Sequence, residues 1–84
     1  MSMTGTQIRA ARVLLEMEQS ELAERASVSI NTVRNMEAKG RQVVRVRLDT
    51  LMKVQKALEE AGVEFIAENG GGAGVRLKRK RNGD

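Results

Sequence analysis

Two short segments with helical periodicity, Gln19–Ala26 and Ile30–Ala38, are separated only by Ser27-Val28-Ser29. This spacing constrains the fold more than any other feature of the chain. Leu22, Ala23 and Ala26 share one face of the first segment, and Val33 and Met36 share one face of the second. Two helices of about two turns joined so tightly cross at a steep angle and cannot lie alongside each other as a long hairpin. Ser29 supplies the N-cap of the second, because its hydroxyl can accept a backbone N–H one turn on. Gly40 ends it in a left-handed cap. Neither helix has enough apolar surface to bury itself, so the flanking segments must complete the core.

Thr6–Glu16 has Ile8, Ala11 and Leu15 at helical spacing, with Thr4 or Thr6 as the cap, and Met17-Glu18 breaks the pattern. Arg41–Arg47 ("RQVVRVR") is compatible with loop or extended chain. Asp49–Ala61 is the clearest helix, with Leu51, Val54, Leu58 and Ala61 in one stripe and Gly62 as its stop. Beyond Gly62 the period changes from 3.6 to 2. Val63, Phe65 and Ala67 alternate with Glu64, Ile66 and Glu68, and Val75 and Leu77 alternate with Arg76 and Lys78. With "NGGGAG" between them, a β-hairpin with a loose turn is predicted. A disordered glycine-rich end is the competing expectation.

At 84 residues there is room for one domain. Its apolar side chains are almost all Ala, Val, Leu, Ile and Met, with Phe65 the only aromatic. A core so poor in large side chains gains from self-association, which makes an oligomer the expectation. There is no cysteine, hence no disulfide and no thiolate metal site. No stretch has the apolar length of a membrane span, and the start does not read as a signal core. A soluble cytoplasmic protein, with no membrane partner, is expected.

Charge is unevenly placed. Residues 1–75 hold ten basic and ten acidic groups, so the net charge of +4 comes from the final "RLKRKRNGD". Arg25–Arg47 holds six cations against Glu37 alone, whereas Glu16–Glu24 holds four carboxylates and no cation. Basicity in two places suits a polyanion, while a solvated tail with chance clustering is the plainer alternative.

Enzymatic readings find little support. The chain has no histidine, so no nucleophile has an evident base. "GGGAG" lacks the Lys-Ser/Thr and following helix of a phosphate-cradling loop. Glu16, Glu18, Glu21 and Glu24 read as solvated helix surface, not as a metal site. No cofactor and no metal are implied.

A helix held out as a ridge fits the major groove of DNA, where each base pair shows its own donor and acceptor pattern. The sequence meets the demands of that geometry. Ala23 lets the second helix approach the first, Ser27 stands where the chain must bend, and Val33 anchors the second helix from within. Asn31, Arg34 and Asn35 give its outer face hydrogen-bonding reach.

Through "QSELAERASVSINTVRNME" the chain resembles the Xre/Cro family of lambda-repressor-like helix-turn-helix regulators. Gln19, Leu22-Ala23, Val28-Ser29, Val33 and Glu37 fall in register, and the likeness extends more loosely from Ile8 to about Gly62. Ser27 stands where the family often has Gly, and Glu18 where it has Ser or Thr. The resemblance implies a mainly α fold of about four helices, to which the period-2 pattern beyond Gly62 adds a short C-terminal β-hairpin. Residues 1–62 would form the DNA-binding domain, 63–78 a dimerising hairpin and 79–84 a flexible basic tail. Gln19 matches a glutamine that contacts a DNA phosphate from the start of the second helix, and Arg12 a residue that pairs with the glutamate at position 37. The DNA-facing set implied is Gln19, Ser29, Ile30, Asn31, Thr32, Arg34, Asn35 and Arg41. Ile30 has two readings, contact with a thymine methyl or a staple packed inward.

The function expected is a homodimeric repressor on a palindromic operator in double-stranded DNA, with a toxin or RNA polymerase as further partners open to such regulators. The dimer interface is expected at Val63, Phe65, Ile66, Val75 and Leu77. The alternative is a protein-interaction module, an antitoxin or antiactivator, that keeps the fold without specific DNA binding.

Overall fold

A computed structural model describes residues 2–68 and 70–79. Helices α1 (Gly5–Leu14), α2 (Gln19–Ala26), α3 (Ile30–Glu37) and α4 (Leu48–Ala61) are followed by strands β1 (Val63–Ile66) and β2 (Gly74–Leu77). The fold is thus mainly helical with a C-terminal antiparallel hairpin, as expected. Residues 80–84 of the basic tail, and Asn69 in the glycine-rich turn, lie outside the described residues.

Local chemistry sets the helix ends. Thr4 caps α1 reciprocally with Gln7: the Gln7 N–H donates to Thr4 Oγ1 at 3.1 Å and the Thr4 N–H to Gln7 Oε1 at 2.9 Å. The far end of α1 falls at Leu14, two residues before the Glu16 expected from periodicity, because Glu16 is left-handed at φ 53°. Met17 N–H then donates back to the Arg12 carbonyl and Glu16 N–H to that of Val13. This paired closure normally employs glycine. The same closure ends α2, where Ser27 has φ 57° and Val28 N–H reaches the Ala23 carbonyl at 3.0 Å. Left-handed backbone at an L-residue costs roughly 1–2 kcal/mol. Burial of Met17 and the half-burial of Val28 just beyond each turn work against that cost.

The core draws on every helix: Ile8 and Ala11 from α1, Leu22, Ala23 and Ala26 from α2, Val33 and Met36 from α3, and Leu51, Val54 and Leu58 from α4. Full burial of a Leu, Ile or Met side chain is worth about 1.5–3 kcal/mol. Met3, Met17 and Val44 complete it from irregular chain. The "RQVVRVR" segment resolves as a loop with one extended point: Val43 forms an isolated bridge with Thr4, and Val44 N–H donates to the Met3 carbonyl at 2.8 Å. Arginine-rich though it is, this loop contributes Val44 to the core.

In the hairpin Val63 pairs with Leu77 and Phe65 with Val75, so these four share one face. That face turns into its own chain. Val63 is wholly buried, and Phe65 and Val75 pack against the core. Of the five residues expected at a dimer interface, Val63 has no surface to offer a partner; Ile66 and Leu77 are the exposed ones. The physical reason is the small helical core, which needs the hairpin as a lid. Gln7 Nε2 donates to the Gly74 carbonyl at 3.0 Å and Lys78 N–H to that of Gly62 at 2.8 Å, fastening β2 at both ends.

Candidate nucleic-acid interface

α3 is short, and its orientation depends on contacts at both ends. At its start, Ser29 Oγ accepts from Thr32 N–H at 3.1 Å, and the two hydroxyls lie 2.9 Å apart. Val33 and Met36 pin the inner face in the core. At its end, Gly5 lies against the backbone of the turn that follows. A Cβ on Gly5 would sit 2.5 Å from the Met36 carbonyl oxygen and 2.7 Å from that of Glu37. Thr6 N–H donates to the Gly40 carbonyl at 2.8 Å. Glycine is required here for close approach; its φ is ordinary.

A buried polar junction adds a third constraint. Arg12 grips Glu37 with two parallel bonds, Nε to Oε2 at 2.8 Å and Nη2 to Oε1 at 3.0 Å, while its Nη1 donates to the Met17 carbonyl at 2.9 Å. The two side chains are only 15% and 6% exposed. The hydrogen bond to Glu37 is the main cause of a raised Arg12 pKa; burial opposes it, and the charges of Glu37 and Glu18 reinforce it. Gln19 Nε2 also donates to Glu37 Oε1, at 3.1 Å. One carboxylate thereby joins α1, α2 and α3.

With its inner face and ends held, α3 turns Asn31, Arg34 and Asn35 to solvent. Arg34 Nη1 lies 3.4 Å from Asn31 Oδ1, a loose bond that leaves both groups donors and acceptors to spare. The helix-turn-helix family model matches residues 8–65, which take in most of α1, all of α2 to α4 and most of β1. The chain belongs to the Xre/Cro-like helix-turn-helix family. It is therefore a DNA-binding regulator of that class, in which α2 and α3 are the helix pair. No curated protein matches the chain.

Against this family frame the remaining site residues divide. Ser29 is exposed and Thr32 half-buried, with both hydroxyls engaged in the α3 cap. Ile30 packs against the core, which is the staple position of its two readings. Arg41 is exposed but stands away from the α3 ridge, beside Thr6, Ala10 and the Gly72–Gly74 turn. Sequence reasoning passed over Arg9, which lines a polar cleft with Arg12, Glu18, Gln19, Arg34 and Glu37. Its spacing of three from Arg12 on one helix was the available signal. Gly5 was also passed over, because only the tertiary fold brings its neighbours near; so was Gln7, although its cap with Thr4 follows the local Thr-x-x-Gln pattern. Among the described residues no helix is long and apolar enough to cross a membrane.

Proposed function

We propose that the chain is a sequence-specific transcriptional regulator that acts as a homodimer, repressing by occupancy of a palindromic operator. α3 enters the major groove, where Asn31, Arg34 and Asn35 contact base edges. Gln19, Ser29, Thr32 and Arg41 contact the backbone, and Ile30 supports the helix from inside. Occupancy excludes or engages RNA polymerase. The observation that supports this reading best is the exposed amide–guanidinium–amide face of α3, held at both ends and bearing no carboxylate. A partner copy would meet Ile66 and Leu77 and the outer hairpin edges, since Val63 is spent inside its own chain. Two copies of α3 about 34 Å apart would then read half-sites one helical turn apart.

The test is mobility shift with duplexes from the region upstream of the coding sequence, followed by selection from random duplexes. Arg34→Ala and Asn35→Ala should each weaken selected-site binding by about 1–3 kcal/mol and leave random-sequence binding nearly unchanged. Equal loss on both kinds of DNA would remove α3 as the reading element.

A further inference from the structure

The polar cleft between α1 and the start of α2 contains cations in two different states. Arg12 is committed, with its guanidinium divided between Glu37 and the Met17 carbonyl. Arg9 and Arg34 line the same cleft, are exposed and make no ion pair among the described residues. Glu37 has its charge matched by Arg12 in a bidentate pair and is almost wholly covered. Glu18, also on the rim, is the one carboxylate there that opposes an anion.

Gln19 stands between these groups, half-buried. A primary amide has two N–H donors. One is committed to Glu37 Oε1, which fixes the plane of the carboxamide and leaves the second N–H for a ligand. An unheld glutamine would have to order its side-chain torsions on binding, at a cost in affinity. Glu37 removes much of that cost in advance.

From this arrangement we infer that Glu37 is a positioning residue for backbone recognition. It presets the Gln19 carboxamide toward a single DNA phosphate, which is seated in the cleft with Arg9 as its charge partner. This deepens the reading above and rests on it: the ligand class is a phosphodiester, and Arg9 joins the contact surface. Two guanidiniums against the Glu18 carboxylate leave the cleft net positive once Arg12 and Glu37 cancel. The inference accounts for a glutamine at a position where a lysine would form an ion pair with Glu37 and compete with Arg12.

The experiment is a double-mutant cycle on the full chain, read by affinity for selected and random duplexes over a range of salt. Gln19→Ala should weaken both about ten-fold, a loss suited to a charge-assisted hydrogen bond. Glu37→Gln uncancels the Arg12 charge and so favours binding equally in either background. Measured against that common gain, the wild-type background should lose a few-fold relative to the Gln19→Ala background. A purely structural role for Glu37 would give the same change in both backgrounds, and that result overturns the inference. Arg9→Gln, an exposed change that leaves the fold alone, should lower the log–log salt slope by roughly 0.9, the value for one phosphate contact. An unchanged slope also overturns it. Glu18→Gln should raise affinity for both duplexes; a fall counts against the seat. Should Glu37→Gln unfold the chain, Glu37→Asp, which keeps the charge and draws the acceptor back from Gln19, takes its place in the cycle with the same expected coupling. Failure here with intact selectivity loss in Arg34→Ala would leave α3 as the reader and discard only the phosphate seat. Wild-type protein that binds neither duplex would instead discard the parent reading.

Discussion

The two ends of the molecule are held by different physics. Around α3 the contacts are polar, directional and largely covered: the Arg12–Glu37 pair, the Gln19 amide and the close approach of Gly5. Around the hairpin they are apolar on one face and exposed on the other, where the cross-strand Arg76–Glu64 pair is 67% and 44% exposed. Apolar packing tolerates sliding and repacking, whereas a bidentate ion pair or a backbone contact without a Cβ permits one geometry. The region proposed to present side chains to a groove is therefore the one built from orientation-dependent contacts. The hairpin needs only to cover the core.

Mutations should break this contrast in a graded way. Arg12→Met leaves the covered Glu37 carboxylate with Gln19 alone, and removing one partner of such a pair costs roughly 3–5 kcal/mol. The denaturant midpoint should fall sharply, and the uncancelled Glu37 charge in the cleft should weaken DNA binding beyond the loss of folded fraction. A variant as stable as wild type would show that solvent already compensates the pair. Gly5→Ala forces a methyl group against three backbone atoms at the end of α3. The expected cost is about 2–3 kcal/mol. Because the backbone of the Met36–Gly40 turn must yield, amide shifts in a heteronuclear NMR spectrum should spread along α3 and spare the hairpin.

Smaller effects sharpen the comparison. Ser27→Gly relieves the left-handed strain at the α2–α3 turn and should stabilise the chain by up to about 1 kcal/mol in chemical unfolding, less whatever chain entropy glycine adds to the unfolded state. Arg76→Ala should change stability by no more than about 0.5 kcal/mol, the range for an exposed pair, and high salt should erase even that. A loss comparable to that of Arg12→Met would mean that the hairpin, too, depends on directional contacts.

Much of this organisation is legible in the sequence where periodicity and caps speak together. Gln19–Ala26 begins and ends where its apolar face and Ser27 indicate, Ser29 caps α3, and Gly62 stops α4. Met3, Met17 and Val44 escape because they enter the core from irregular chain, where no period marks an inward side. Glu16 is a further case: a helix end without glycine has no local signature, and its left-handed backbone follows from the burial of Met17. At the interface, residue types on α3 could be read from spacing. That Gln19 leans on Glu37, or that Arg9 shares its cleft, depends on a crossing between helices that no single segment encodes.

The bond from Gln7 to the Gly74 carbonyl spans 67 residues and carries a consequence for how the chain comes to be made. Gln7 is buried in the finished fold, yet its partner belongs to β2, synthesised 67 residues later. Until β2 is made, Gln7 Oε1 can already accept from the Thr4 N–H, while its Nε2 has only water to donate to. Contacts this distant in sequence must overcome loop closure before they stabilise anything. A nascent chain halted after the fourth helix thus lacks the acceptor that anchors the first turn of α1, and that turn should exchange its amide protons faster than in the whole chain.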